Sequence, residues 1–259
     1  MGGLRTGCRC CQGHYRLISV AARKFKCRFD SAYAGTVTRR WTRTELATRI
    51  DHTLLDPGAT HHDILMACEI ARRNHCATVC LNSNRVAVAR EVLQGSGVGI
   101  AAVVGFPFGA SHVDAKAHEA ALAITDGATE IDMVLDIGRL KDGQQEPVRA
   151  DIASVIVAAA GRPVKVILEC ARLTDDEKRT GCALAVKAGA AFVKTSTGYL
   201  GHGATVHDVT LIRAAVGPGL GVKASGGILY YEDAVAMLEA GATRLGMSHT
   251  QQVLDSIPS

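Results

Sequence analysis

Short apolar runs alternate with longer amphipathic segments from Trp41 onward. Eight runs have the length and aliphatic content of buried parallel strands. They are RIDHTLL from Arg49, ATVCLN from Ala77, GIAAVVGFP from Gly99, TEIDMVLDIG from Thr129, PVKVILEC from Pro163, FVKTSTG from Phe192, GVKASGG from Gly221 and TRLGMS from Thr243. Segments between them, such as Asp114 to Thr125 and Asp175 to Ala188, have helical periodicity. Eight such units favour an α/β fold, a TIM (β/α)8 barrel, over an open doubly wound sheet.

Alternation within these runs separates two faces, because successive side chains of a strand point to opposite sides. In TEIDMVLDIG the apolar positions face the helices, and the positions between them, including Glu130, Asp132 and Asp136, face the barrel axis. Charged groups of both signs therefore converge in the predicted interior. In the other runs the same parity directs inward Asp51, Thr53, Cys80, Lys165, Glu169, Lys194, Ser196, Lys223 and Ser225.

Two lysines near the carboxyl ends of adjacent predicted strands, Lys194 and Lys223, are the candidates for chemistry, because barrel active sites lie at those ends. A lysine is nucleophilic only when neutral, so its pKa must fall well below its usual value of about 10.4. Burial and a second ammonium group both act in that direction. We expect Lys194 to form an imine with a carbonyl, Lys223 to lower the Lys194 pKa, and Asp132 to move protons through a water molecule. A purely structural ion network is the alternative interpretation.

Glycine-rich sequences close the last three predicted strands, and such ends expose backbone N–H groups that bind phosphate in barrels. The stretches are STG at Ser196 to Gly198, SGGI at Ser225 to Ile228 and GMS at Gly246 to Ser248. The histidines are not at paired metal-ligand spacings, so we expect no metal, and the imine chemistry needs no cofactor.

The charge distribution bears on possible partners. The net charge of +4 arises in residues 1–40, which hold nine Lys or Arg against one acid, Asp30. The remainder has 20 basic and 24 acidic residues and few aromatics, so we expect no nucleic-acid partner. There is also no apolar run of 18 residues, so we expect no membrane span.

Residues 1–40 form a basic, Cys- and Arg-rich extension that includes Cys8, Cys10, Cys11 and Cys27. We expect it to be disordered, or a non-native start with synthesis beginning near Val37, and the barrel domain to span residues 41–259. The other five cysteines are scattered singly among apolar residues, which is typical of a reduced, cytoplasmic protein.

The motifs together resemble the deoxyribose-phosphate aldolase family from about Thr42 to Ser248. IDHTLL, VCLN, VVGFPFG, EIDMVLDIG, VKVILE, FVKTSTG, GVKASGGI and GATRLG occur in family order. The resemblance implies a class I aldolase that reversibly cleaves 2-deoxy-D-ribose 5-phosphate to D-glyceraldehyde 3-phosphate and acetaldehyde through a lysine Schiff base, without a cofactor. It implies Lys194 as the imine-forming lysine, Asp132 as the proton donor and acceptor, and Lys223 as the second active-site lysine, which is a proton donor or acceptor and also perturbs the Lys194 pKa. Residues expected to line the phosphate site or lie near the substrate are Gly198, Gly226, Gly227, Ser248, Asp51, Cys80 and Lys165.

Two positions depart from the family pattern. His249 follows Ser248 where a second small residue is common, which predicts an altered phosphate pocket or an added cation. Asp136 stands where Asn is common, which predicts an extra negative charge near the barrel mouth. A non-catalytic phosphosugar-binding barrel and a different imine-forming aldolase stay open as alternatives, as does assembly into a homodimer or larger homo-oligomer.

Overall fold

The computed structural model describes residues 39–258. The expectations for the N-terminal extension, including its four cysteines and the start near Val37, fall on residues 1–38, which lie outside the described part. They stay predictions.

Eight parallel strands form a closed barrel in which each strand pairs with its sequence neighbours and β8 pairs with β1. Every one of the eight predicted runs contains a strand, which confirms the predicted fold. The strands are β1 Ile50–Leu54, β2 Thr78–Asn82, β3 Gly99–Val104, β4 Glu130–Val134, β5 Val164–Ile167, β6 Phe192–Lys194, β7 Gly221–Ser225 and β8 Arg244–Met247.

Ten α-helices lie between or beside these strands in the described part of the chain. They are α1 Arg43–Ala47, α2 His61–Asn74, α3 Val86–Leu93, α4 Val113–Asp126, α5 Ile137–Lys141, α6 Gln145–Ala158, α7 Asp175–Ala188, α8 Val206–Val216, α9 Tyr231–Glu239 and α10 Thr250–Asp255. A capping box of Thr174 and Glu177 starts α7. Left-handed Gly189 ends it, because glycine adopts that backbone without a Cβ penalty. No helix within residues 39–258 is long and apolar enough to cross a membrane.

The main core lies between the strands and the surrounding helices. Ile131 and Met133 of β4 and Leu135 just after it are fully buried there, as predicted for the helix-facing set. Ile137, the fourth predicted member, lies in α5 and is partly buried against the same core. Complete burial of one such side chain stabilises the fold by about 1.5–3 kcal/mol. This apolar layer leaves the opposite face of the strands free to carry charge inside the barrel.

The prediction that Asp136 faces the barrel axis is wrong. Strand β4 ends at Val134, and Asp136 is the N-cap of α5, where its side chain accepts a hydrogen bond from the Arg139 amide at 3.0 Å. Its carboxylate also pairs with Arg139 Nε at 3.3 Å. Aspartate is favoured at an N-cap because its carboxylate accepts hydrogen bonds from the free N–H groups of the first helical turn. The alternation of side chains between two faces applies only within the strand, and Asp136 lies beyond its end.

Candidate active site

Five charged side chains from five strands meet inside the barrel, and each is at most 3% exposed. They are Asp51 on β1, Asp132 on β4, Lys165 on β5, Lys194 on β6 and Lys223 on β7. The register pairs Asp132 with Lys165 and Lys194 with Lys223 on neighbouring strands. The predicted convergence of these groups in the interior is confirmed.

Asp132 is the centre of the cluster, because its carboxylate contacts three ammonium groups. Oδ1 accepts from Lys165 Nζ at 2.6 Å. Oδ2 accepts from Lys194 Nζ at 2.8 Å and from Lys223 Nζ at 2.7 Å. Since Lys194 and Lys223 contact one oxygen atom, their nitrogens lie close to each other.

A second layer of charges lies on the side of the cluster nearer the amino ends of the strands. Asp51 contacts Lys223 Nζ at 2.5 Å and Arg244 Nη1 at 2.7 Å. Glu130 contacts Lys165 Nζ at 2.5 Å and Arg244 Nη1 at 3.1 Å. Arg244 was not among the residues predicted from the sequence, although it shares strand parity with Gly246, which lines the cavity. Each charge of this cluster therefore has an opposite partner, as the high free energy of an isolated buried charge requires.

The electrostatics of the cluster shift the pKa values of Lys194 and Lys223 in opposite directions. Burial disfavours the ammonium form and lowers the pKa of Lys194; Asp132 opposes this change, and the Lys223 charge adds to it. Burial also acts to lower the pKa of Lys223, but Asp132 and Asp51 outweigh burial and raise it. Burial acts to raise the Asp132 pKa, yet the three lysines hold it well below its usual range. The predicted direction for Lys194 is confirmed, with burial as the larger cause.

A cavity of about 210 Å³ opens above Lys194 at the carboxyl ends of β6, β7, β8 and β1. Its polar wall contains the four positions predicted for phosphate: Gly198, Gly226, Gly227 and Ser248. Its other lining residues are Thr53, Leu55, Thr197, Tyr199, Ser225, Ile228, Leu229, Gly246, Met247 and His249. Lys194 is the lining residue that links this cavity to the charge cluster.

Three of the four glycines that line the cavity have positive φ angles, of 84° at Gly198, 88° at Gly226 and 79° at Gly227. Their amides donate to no partner among residues 39–258. The loop between β6 and α8 holds this wall in place, because the Ala204 amide donates to the Ser225 and Gly226 carbonyls at 3.0 and 3.1 Å. A Cβ at Gly203 would lie 2.2 Å from the Gly226 oxygen, so the two backbones meet only because residue 203 is glycine. Free amides on such a wall suit an anion.

Three of the residues expected near the substrate do not line the cavity. Asp51 and Lys165 lie within the charge cluster, and Cys80 is fully buried in a small interior apolar group with Leu55 and Ala101. Burial raises the pKa of the Cys80 thiol. Direct substrate contact by these three residues stays a prediction. What the structure shows for Asp51 and Lys165 is ion pairing.

His249 lines the cavity beside Ser248, and its imidazole is exposed without a partner among the described residues. Thr197 and Tyr199 also line it and were not singled out from the sequence, although they belong to the KTSTGY stretch that follows β6. Within residues 39–258 no group of three or more His, Cys, Asp or Glu side chains could hold a metal ion.

Comparisons with known proteins agree on one family. Residues 46–251 match the model of the DeoC/LacD family aldolases. Deoxyribose-phosphate aldolase of Halalkalibacterium halodurans is 52% identical over 205 residues, covering 78% of this chain and 92% of the relative. That of Bacillus mycoides is 51% identical over 204 residues, with the same coverage. A tetrameric deoxyribose phosphate aldolase from Aeropyrum pernix superposes with a TM-score of 0.78 at 33% identity, covering 83% of this chain and 92% of that one. The chain belongs to the DeoC/LacD family of aldolases.

Proposed function

We propose that the protein reversibly cleaves 2-deoxy-D-ribose 5-phosphate to D-glyceraldehyde 3-phosphate and acetaldehyde through a Schiff base on Lys194. The observation that carries the proposal is the position of Lys194. Its amine lies at the junction of a buried charge cluster, which contains Lys223, and a cavity walled by free backbone amides. The names of the relatives support the same substrate.

The first half of the reaction forms the imine. The lone pair of neutral Lys194 Nζ attacks the aldehyde carbon of the open-chain sugar and gives a carbinolamine. Loss of water then yields a protonated imine, which is an electron sink. Asp132, whose Oδ2 lies 2.8 Å from Lys194 Nζ, exchanges protons with the reacting groups through solvent water.

The second half breaks the carbon–carbon bond. A base removes the proton from the hydroxyl on C3, the C3 carbonyl forms, and the C2–C3 electron pair moves into the imine to give an enamine. D-glyceraldehyde 3-phosphate leaves, the enamine takes a proton at C2, and hydrolysis frees acetaldehyde and Lys194. Lys223 remains charged throughout, because Asp132 and Asp51 raise its pKa, and its charge favours the neutral form of Lys194.

The phosphate group occupies the glycine wall. The unpaired amides of Gly198, Gly226 and Gly227 donate to its oxygens, and the Ser248 hydroxyl and His249 imidazole lie at the same wall. This places the aldehyde end of the sugar toward Lys194. Backbone donors hold a phosphate without an ordering cost of long side chains.

A retro-aldol assay with the purified full-length protein tests the proposal. Release of acetaldehyde from 2-deoxy-D-ribose 5-phosphate is expected, and it should stop in the Lys194→Ala variant. A protein that binds the phosphosugar without releasing acetaldehyde would be a non-catalytic binding barrel. A protein that forms the imine but acts only on other sugars would be a different imine-forming aldolase.

Assembly and location complete the proposal. The relative from Aeropyrum pernix is tetrameric, which supports a homo-oligomer for this chain as well. The five cysteines of the described region, Cys68, Cys76, Cys80, Cys170 and Cys182, are buried and free, which suits the reducing cytoplasm. Light scattering of the purified protein measures its oligomeric state.

A further inference from the structure

Glu169 combines three unusual features just after β5. Its side chain is fully buried, although the residue lies beyond the end of β5. Its backbone is left-handed with φ 61°, a conformation that is strained for residues other than glycine. Its Oε1 atom has no hydrogen-bond partner among the described residues. Each feature costs free energy, so the surrounding structure must hold this residue in place.

The backbone amides on both sides of Glu169 form hydrogen bonds with the segment that carries Lys194. The Leu168 amide donates to the Lys194 carbonyl at 3.0 Å. The Cys170 amide donates to the Thr195 carbonyl at 2.9 Å. Glu169 is thereby fixed opposite the residues that follow β6, whatever its own side chain does.

The side chain of Glu169 reaches the next residues of that segment. Its Oε2 accepts from the Thr197 amide at 3.0 Å and from the Thr197 hydroxyl. The Thr197 oxygen in turn accepts from the Tyr199 amide at 3.1 Å. This chain of contacts fixes the turn Thr197–Gly198–Tyr199. At its centre Gly198 has φ 84°, lines the cavity and has an amide without a partner among the described residues.

We propose that Glu169 is a positioning residue that acts through Thr197 to hold the Gly198 amide in place for the phosphate group of the substrate. The inference rests on the proposed function, because it assigns the phosphate to this wall. Glu169 itself does not line the cavity, whereas Thr197, to which it bonds, does. The Glu169 side chain contacts Thr197 and does not contact Lys194. Removing this side chain should therefore weaken phosphate binding, while the backbone hydrogen bonds of Leu168 and Cys170 keep Lys194 in place.

The test compares Glu169→Ala and Glu169→Gln on two substrates, 2-deoxy-D-ribose 5-phosphate and unphosphorylated 2-deoxy-D-ribose. For Glu169→Ala, KM for the phosphorylated sugar should rise about tenfold, the effect of one lost phosphate hydrogen bond. Its kcat/KM for the unphosphorylated sugar should change less than about twofold, well below that effect. Glu169→Gln retains an acceptor for Thr197 and should recover part of the loss. Equal losses on both substrates, or an unchanged KM, would overturn the proposal.

Two further variants control for folding. In Glu169→Gly, glycine adopts the left-handed backbone without strain, so this variant can replace Glu169→Ala in the test if the alanine variant does not fold. Asp208→Asn changes another buried carboxylate, which pairs with Lys178 at 2.7 Å away from the cavity. It should leave the KM ratio of the two sugars unchanged. A matching ratio change in Asp208→Asn would mean that Glu169 contributes only general stability.

Binding of inorganic phosphate, measured by calorimetry, separates this inference from the proposed function. Weaker phosphate binding in Glu169→Gly than in the native protein supports the positioning role even if the native protein fails to cleave the sugar. Equal binding in the two proteins refutes the role even if cleavage is efficient. Failure of the native protein to release acetaldehyde refutes the proposed function alone.

Discussion

Removing the charge of Lys223 should make Lys194 a poorer nucleophile near neutral pH. The two nitrogens contact Asp132 Oδ2 at 2.8 and 2.7 Å, so they lie no more than about 5.5 Å apart. At an effective dielectric constant of 20, two ammonium charges at that distance repel by about 3 kcal/mol. In Lys223→Met this repulsion is absent, and Asp51 and Asp132 lose a counter-charge. Both changes favour protonated Lys194.

The expected size of the effect follows from that energy. Since 1.4 kcal/mol is a factor of ten, the neutral fraction of Lys194 at a fixed acidic or neutral pH should fall roughly a hundredfold. The rising limb of the pH profile of kcat/KM should therefore move to higher pH. Acetaldehyde trapping by borohydride, followed over the same pH range, reports the neutral amine without the cleavage step.

The matched control is Lys116→Met. Lys116 is also fully buried and pairs with one carboxylate, Asp151 at 2.7 Å. Its Nζ also donates to the Val134 carbonyl at 3.0 Å, but Lys116 does not contact the charge cluster or line the cavity. It should reduce stability and leave the pH profile in place. A Lys223→Met profile whose rising limb coincides with that of the native protein would refute the electrostatic role of Lys223.

Other predictions concern stability and the phosphate wall. Arg244→Met removes a cation that contacts both Asp51 and Glu130 and leaves these carboxylates only their lysine partners. It should lower the free energy of unfolding by about 3 kcal/mol, measured with urea; a change under about 1 kcal/mol would contradict the pairing. His249→Ala should raise KM for the phosphorylated sugar about threefold and leave the unphosphorylated sugar unaffected; equal effects on both would place His249 outside phosphate binding. Acid should destabilise the fold. The pKa values of Asp51 and Asp132 are lowered in the folded protein, so these groups contribute stability that is complete above the ordinary pKa of about 3.9 and is lost as the pH falls further. A free energy of unfolding that stays constant between about pH 4 and 2 would contradict this prediction.

The fold and the identity of the charged cluster follow from the sequence because both depend on local periodicity. Alternation places Asp132 and Lys165 inside once the apolar face of each strand is identified. It fails at Asp136, because nothing in the alternation marks where β4 stops and the N-cap of α5 begins. Apolar runs predict a strand, while the exact end depends on which backbone groups find partners.

Contacts between distant strands could not be predicted. Sequence analysis placed Lys194 and Lys223 on neighbouring strands, but their shared contact with one oxygen of Asp132 depends on the stagger of the barrel and on rotamers. The same holds for Arg244, which reaches Glu130 from β8 across the interior. The role of Glu169 required its backbone conformation and its contact with Thr197, neither of which leaves a signal in residue type alone.

The claim on which this account depends most is that the amine of Lys194 condenses with an aldehyde. The direct measurement is reduction of the native protein with borohydride in the presence of acetaldehyde at neutral pH, followed by peptide mass spectrometry. We expect an ethyl group on Lys194 and none on Lys165 or Lys223, which are held charged by their carboxylate partners. An unmodified Lys194, or a label that falls mainly on another interior lysine, would contradict it.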